Sequence, residues 1–185
     1  MSPALLSQRL KELEVAGVIS RTSSAREPGL FAYHLTDAGQ ELQPLIEAFG
    51  VWGQRWVKKD LSLEHLDAQL LMWDMRRSLD LKPMPKARCA IQFLYAEQPA
   101  THRNWWLLVD PKADVDLCSV DPGVDIDLYV ATDLRTMTAI WMGHETVRAA
   151  ITARRLLLTG DRQLASKMQS WLGLSPFAKV KAMAG

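Results

Sequence analysis

The sequence contains few of the features that mark disulfide-rich, zinc-binding, secreted or membrane proteins. Its two cysteines, Cys89 and Cys118, are far apart and show no C-x-x-C spacing. This favours buried, reduced thiols over a disulfide framework or a zinc site. The first residues show no signal-peptide pattern, and no apolar run approaches the roughly 20 residues that a membrane span needs. We therefore expect a cytoplasmic protein with no membrane span.

Motifs of catalysis and metal binding are also missing. The sequence contains no H-E-x-x-H, no G-x-S-x-G and no glycine-rich phosphate loop, and its four histidines are scattered. Six aspartates lie between residues 110 and 127, but they alternate with apolar residues instead of following the steps of a calcium loop. We therefore expect no enzyme activity, no metal site and no cofactor.

The charge is almost balanced, which excludes binding to nucleic acid through bulk charge alone. The formal net charge is +1, and residues 1–57 carry five basic against six acidic side chains. Any contact with DNA must therefore depend on where the basic side chains lie.

The first 21 residues have the pattern of a capped helix followed by a strand. Ser2 suits the N-cap position and Pro3 the first turn, while Gly17 suits the residue just past the helix end. Three leucines at helical spacing predict an inward side, and the small polar and basic residues predict an outward side that fits a major groove. The candidate DNA-binding residues in this stretch are Ser2, Pro3, Ser7, Gln8, Arg9 and Lys11, of which Arg9 is the one that can reach the phosphate backbone instead of the bases.

A hairpin and a long helix follow. Residues 18–22 and 30–35 are predicted strands, and Arg26 lies in the turn between them, where it can reach phosphate or the minor groove. Thr36 is the predicted cap of a helix that ends near Trp56, with a kink or restart at Pro44. Its apolar stripe either packs within the domain or forms a homodimer interface, and consists of Leu42, Leu45, Ile46, Phe49, Trp52 and Trp56.

Two runs in this region, LSQRLKELEVAGVISR at 6–21 and YHLTDAGQELQPLIEAFGVWGQRW at 33–56, closely resemble HxlR-type bacterial winged-helix transcriptional regulators. The resemblance implies a winged helix-turn-helix, binding to double-stranded operator DNA and a homodimer. Proteins of that type carry further helices before the recognition helix, which this sequence lacks. We therefore expect either a start codon assigned too late or a truncated gene.

A connector and a linker follow the first domain. A helix is predicted from Ser62 to about Leu79, with a buried stripe that includes Leu70 and Trp73. Two closely spaced prolines make residues 81–86 a predicted linker. The predicted domains are a partial winged helix-turn-helix at 1–57, a connecting helix and linker at 58–86, and a second domain at 87–185.

The second domain has the pattern of an α+β fold. Four predicted strands are followed by two helices, a fifth strand and a helix capped by Asp161 that runs to Trp171. Such an order indicates helices that cover one face of a largely antiparallel sheet.

Several motifs in this domain occur in the order found in sterol carrier protein-2-like (SCP2-like) domains. They are VDLC at 115–118, DPG at 121–123, DLYVATDL at 127–134, IWMG at 140–143, LLLTGD at 156–161 and WLGLSPFA at 171–178. The resemblance implies an apolar cavity between sheet and helices. The candidate pocket residues, for which core packing is the alternative role, are Trp105, Leu107, Met137, Trp141, Met142, Met168 and Trp171.

Together these patterns indicate a dimeric, DNA-binding transcriptional regulator of HxlR type whose second domain senses an apolar small molecule. The alternative is a lipid- or sterol-carrier-like binding protein in which the partial winged helix serves only for dimerisation.

Overall fold

The computed structural model describes residues 3–23, 31–57, 66–111, 115–181 and 183. These residues form two compact units, 1–53 and 54–185. The first consists of helices and a two-stranded hairpin, and the second of a five-stranded sheet with helices. The predicted α+β class is therefore confirmed.

The first unit follows the predicted order of elements. Helix α1 spans Pro3–Val15, strands β1 and β2 span Ile19–Ser23 and Phe31–Leu35, and helix α2 spans Asp37–Trp56. The two strands pair antiparallel. Gly17 has a φ of +73°, the left-handed conformation predicted for the residue that follows α1.

Thr36 and Gly39 attach the start of α2 to the turn after α1. The Thr36 hydroxyl donates to the carbonyl oxygens of Gly17 (2.6 Å) and Val18 (3.1 Å) and accepts from the Gly39 amide (3.1 Å). This is the predicted cap, and it reaches across 18 residues of sequence. A side chain at Gly39 would overlap the Val18 carbonyl oxygen. Glycine is therefore required for this close approach.

Helix α2 continues through Pro44 for its full 20 residues, so the predicted restart there is wrong. Proline removes one N–H donor from the helix.

The second unit begins before the predicted linker. Helix α3 spans Ala68–Ser78 and is capped by Asp67, whose carboxylate accepts from the Leu70 amide at 3.0 Å. The predicted start at Ser62 lies outside the described residues. Because α3 supplies side chains to the core of the second unit, the described part of the predicted connector 58–86 belongs to that unit.

The buried face of α3 differs from the predicted one. Met72 and Met75 are fully buried, and the Tyr95 hydroxyl lies 3.1 Å from the Met72 sulfur. The leucine and tryptophan predicted to be buried, Leu70 and Trp73, are exposed. The buried face consists of Ala68, Leu71, Met72 and Met75, so the helix is turned relative to the predicted stripe.

The five predicted strands are confirmed, with boundaries shifted by no more than a few residues. They are β3 (Cys89–Tyr95), β4 (Asn104–Val109), β5 (Val115–Cys118), β6 (Leu128–Thr132) and β7 (Leu156–Gly160). Their order in the sheet is β5-β4-β3-β6-β7. All neighbours are antiparallel except β3 and β6, which are parallel. The sheet is therefore mixed around its central strand.

Short helices lie between the strands and after the last one. They are α4 (Ala100–Arg103), α5 (Leu134–Trp141), α6 (Val147–Thr152), α7 (Arg162–Ser166) and α8 (Met168–Trp171). Asp133, Thr146 and Asp161 cap α5, α6 and α7 by accepting from backbone amides three residues on. The helix predicted from Asp161 to Trp171 is interrupted at Lys167 and forms two short helices instead.

We predict that Gly39→Ala destabilises the first unit by about 1–3 kcal/mol, because a methyl group at this position collides with the Val18 carbonyl oxygen. Gly53→Ala is a matched control in the same helix, since no atom lies within 4 Å of the added methyl group there. Gly53→Ala should stabilise the first unit by roughly 0.5–1 kcal/mol, because alanine has a higher helix propensity than glycine. Urea unfolding followed by circular dichroism measures the free energy of unfolding of both variants. Equal effects at the two positions would contradict the close approach.

Candidate nucleic-acid interface and ligand-binding core

Five of the seven candidate DNA-binding residues lie on helix α1. The structure leaves Ser7, Gln8, Arg9 and Lys11 exposed along the helix. Pro3 begins the helix, while Ser2 and Arg26 lie outside the described residues. A single helix therefore presents two neutral polar and two basic side chains to solvent, a composition that suits phosphate and base contacts.

Two of these side chains share an acidic partner that sequence reasoning did not identify. The Gln8 Nε2 atom donates to Glu12 Oε1 at 3.0 Å, and Arg9 Nη1 donates to Glu12 Oε2 at 2.7 Å. The spacing in the sequence could have predicted both pairs, because residues three and four apart face each other on a helix. All three side chains are exposed, so the pairs contribute little to stability.

The predicted inward leucines are only partly covered by the described residues. Leu10 is half-buried, whereas Leu6 and Leu13 are exposed. On the neighbouring hairpin, the Arg21 guanidinium lies 3.8 Å from the centre of the Phe31 ring, close enough for a cation–π contact. The strand register explains this contact, since the two residues are diagonal neighbours across the hairpin.

The apolar stripe of α2 is exposed along its whole length. All six predicted interface side chains are exposed in the single chain, and Phe49 retains 73% of its accessible surface. These residues are Leu42, Leu45, Ile46, Phe49, Trp52 and Trp56. A contiguous stripe of this kind exceeds the isolated apolar side chains of an ordinary surface.

The candidate pocket residues lie in and around the core of the second unit. Five of the seven are buried, while Trp141 and Met142 are half-buried. Met137 and Trp141 lie one turn apart on α5, as predicted. The buried members are Trp105, Leu107, Met137, Met168 and Trp171. In this conformation they pack as core, so their role as a pocket stays a prediction.

The indole N–H groups of this core differ in their hydrogen bonding. Trp105 Nε1 donates to the His102 carbonyl at 2.9 Å, and Trp171 Nε1 donates to the Leu164 carbonyl at 2.7 Å. The buried Trp141 Nε1 has no hydrogen-bond partner among the described residues. A buried donor without a partner is costly, so Trp141 is a point in the core where an acceptor would be favourable.

Two clefts open elsewhere on the second unit. One, of about 460 Å³, is lined by Ala90, Leu108, Val124 and several carboxylates, and the other, of about 200 Å³, is partly lined by Trp105. Cys89 lines the larger cleft, and its pKa rises to about 11 because of burial, reinforced by the negative charges of Asp127 and Asp161. This cysteine is therefore a protonated, unreactive thiol at neutral pH.

Within the ranges that the structure describes, no three His, Cys, Asp or Glu residues are grouped closely enough to hold a metal ion. In the same ranges, no helix is both long enough and apolar enough to cross a bilayer.

The comparison with known families identifies the first region. Residues 1–61 match the profile of the HxlR-like helix-turn-helix family. An uncharacterized HTH-type transcriptional regulator of Bacillus subtilis (strain 168), YvaP, is 39% identical over 57 residues, which are 31% of this chain and 53% of YvaP. The chain thus spans about half the length of this relative. The first third of the chain is an HxlR-like helix-turn-helix region, which confirms the resemblance seen in the sequence.

Two solved structures are similar to the C-terminal part of the chain. Sterol carrier protein 2-like 2 from Aedes aegypti has a TM-score of 0.40 and 22% identity, and the match covers 55% of this chain and 92% of that one. A sec-alkylsulfatase, Pisa1, from Pseudomonas sp. has a TM-score of 0.47 and 15% identity, and the match covers 65% of this chain but only 18% of that enzyme. Both TM-scores are below 0.5.

Proposed function

We propose that this protein is a DNA-binding transcriptional regulator of HxlR type, which acts as a homodimer in the bacterial cytoplasm and whose second unit senses an apolar small molecule. The observation that carries the proposal is an HxlR-like helix-turn-helix region whose α1 leaves its polar and basic side exposed. In this proposal the protein is not an enzyme.

For DNA recognition, α1 supplies the side chains that meet the duplex. Ser7, Gln8 and Lys11 face base edges in the major groove, and Arg9 reaches the phosphate backbone. Arg26 contacts phosphate or the minor groove from the hairpin turn. The near-neutral charge of the region is compatible with this function, because specific reading depends on the placement of a few side chains.

For dimerisation, the α2 stripe of one subunit packs against the same stripe of a second copy. Association of two such faces removes six large apolar side chains per subunit from water, three of them aromatic. Exposed apolar patches of this kind mark protein interfaces, and aromatic residues dominate their energy. A two-fold pair would also place two copies of α1 on one duplex, as symmetric operators require.

For ligand sensing, the methionine-rich core of the second unit opens to admit an apolar molecule. Met137, Met142 and Met168 are flexible enough to repack around it, and Trp141 Nε1 offers one polar anchor. Binding changes DNA affinity only if the ligand prefers one conformation of the protein over another.

Gln8→Ala should weaken binding to a duplex selected from a random library by about 1–3 kcal/mol, because it removes a base contact. Lys11→Ala should likewise weaken binding to the selected duplex, since we place it at a base edge. Gln43→Ala is the matched control, since Gln43 also pairs with a glutamate four residues on, but on α2. Fluorescence anisotropy measures the affinities. Unchanged binding in the two α1 variants would refute the assignment of α1.

Phe49→Glu should convert the dimer to a monomer, with a loss of about 2 kcal/mol or more in association, because a charge would enter the centre of an apolar interface. Leu157→Glu is the control, as Leu157 is 64% exposed but lies on β7 of the other unit. Light scattering coupled to size exclusion measures the masses. A monomeric native protein would exclude the α2 interface.

The neutral probe N-phenyl-1-naphthylamine should bind the second unit and raise the unfolding temperature of the full chain. Met142→Glu should weaken that binding roughly tenfold or more, because an unpaired charge would lie beside the apolar ligand. Met183→Glu makes the same change at an exposed position and should have no effect. No probe binding would refute ligand sensing. Probe binding and dimerisation without sequence-selective DNA binding would indicate a carrier protein instead.

A further inference from the structure

Glu12 borders the α1 surface that we assign to DNA, although an acidic side chain disfavours contact with phosphate. Its two carboxylate oxygens are both engaged, one by Gln8 Nε2 at 3.0 Å and the other by Arg9 Nη1 at 2.7 Å. Because the three side chains are exposed, these bonds add little to the stability of the helix. Their consequence is the orientation and charge of the two residues that Glu12 holds.

We propose that Glu12 is a specificity-determining residue of the DNA-reading helix, which fixes the Gln8 amide for adenine and holds the Arg9 charge away from non-specific phosphate contacts. The proposal rests on the proposed function, since it concerns the same surface. It assigns a role to a residue that does not itself contact a base.

The orientation of Gln8 follows from the chemistry of its partner. An ionised carboxylate only accepts hydrogen bonds, so the NH₂ group of Gln8, and not its carbonyl oxygen, must face Glu12. One N–H of that group is used by Glu12. The carbonyl oxygen and the second N–H remain for a base.

This remaining pair matches adenine and not guanine. In the major groove, adenine offers the N6 donor and the N7 acceptor, whereas guanine offers two acceptors, N7 and O6. A Gln8 amide held by Glu12 can accept from N6 and donate to N7 of adenine. Guanine would leave the Gln8 carbonyl oxygen facing an acceptor, an arrangement that costs affinity.

The charge of Arg9 is affected in the same way. While Arg9 is paired with Glu12, its positive charge is largely compensated and the carboxylate repels nearby phosphates. Non-specific affinity for DNA comes almost entirely from such phosphate contacts. Glu12 therefore lowers non-specific binding and improves the ratio of specific to non-specific affinity.

The test is selection of binding sites from a random duplex library by the full chain and its Gln8→Ala, Glu12→Ala and Glu12→Gln variants. The position that Gln8 reads is the one whose preference disappears in Gln8→Ala. At that position the native protein should select adenine, and Glu12→Ala should reduce the preference for adenine over guanine by about twofold, the effect of losing one exposed hydrogen bond between neighbouring helix turns.

The salt dependence of DNA binding separates the effect of Glu12 on the Arg9 charge from its effect on the Gln8 orientation. With a mixed-sequence duplex, Glu12→Ala and Glu12→Gln should both bind more tightly and steepen the slope of log affinity against log salt by about one, because the charge of Arg9 is then no longer compensated by a carboxylate. Glu12→Gln should keep much of the adenine preference, since its carbonyl oxygen can still accept from Gln8. Glu14→Gln removes the same charge from α1 at a residue that does not hold Gln8 or Arg9 and should leave the preference unchanged.

An unchanged adenine preference and salt slope in Glu12→Ala would overturn this inference while leaving the proposed function intact. A native chain that selects no sequence at all would overturn both this inference and the proposed function.

The Gln8–Glu12 pair can also be tested without DNA. In nuclear magnetic resonance spectra, the side-chain amide resonances of Gln8 should move in Glu12→Ala and stay in place in Glu14→Gln. Identical Gln8 resonances in the native and Glu12→Ala proteins would show that the pair does not form.

Discussion

The close approach of α2 to the turn after α1 organises the first unit. One hydroxyl, that of Thr36, bonds to two carbonyl oxygens of that turn and to the Gly39 amide, and a side chain at Gly39 has no room beside the Val18 carbonyl. This joint fixes where α2 starts, and Gly39 is the buried residue of that helix.

The second unit is organised by a central strand, β3, that pairs antiparallel on one side and parallel on the other. A parallel pair requires a long crossover, which here runs from β5 past β4 and β3 to reach β6. The helices that follow are short, and three of them, α5 to α7, have side-chain caps. Side-chain caps suit such short helices, which form few internal hydrogen bonds and depend on caps and packing.

Much of this could be predicted from the sequence, and the exceptions have physical causes. Alternating apolar residues located all five strands of the sheet, and glycine, proline and cap residues located most helix ends. The buried face of α3 was predicted wrongly, because apolar residues lie on more than one side of that helix and only packing in the second unit decides which side is buried. The split at Lys167 and the continuity of α2 at Pro44 were also not predicted.

The same division holds for the functional surfaces. The sequence by itself determined the five strands of the sheet, the two long helices of the first unit and the Thr36 cap of α2, because these depend on local periodicity and on the hydrogen-bonding capacity of residues near each element's start. It also determined the pairing of Glu12 with Gln8 and Arg9 in principle, since helical spacing brings them together. Only the tertiary structure decided that the candidate pocket residues pack as core, and that β3 and β6 run parallel. Those outcomes depend on which distant surfaces exclude water together, and that competition involves the whole chain.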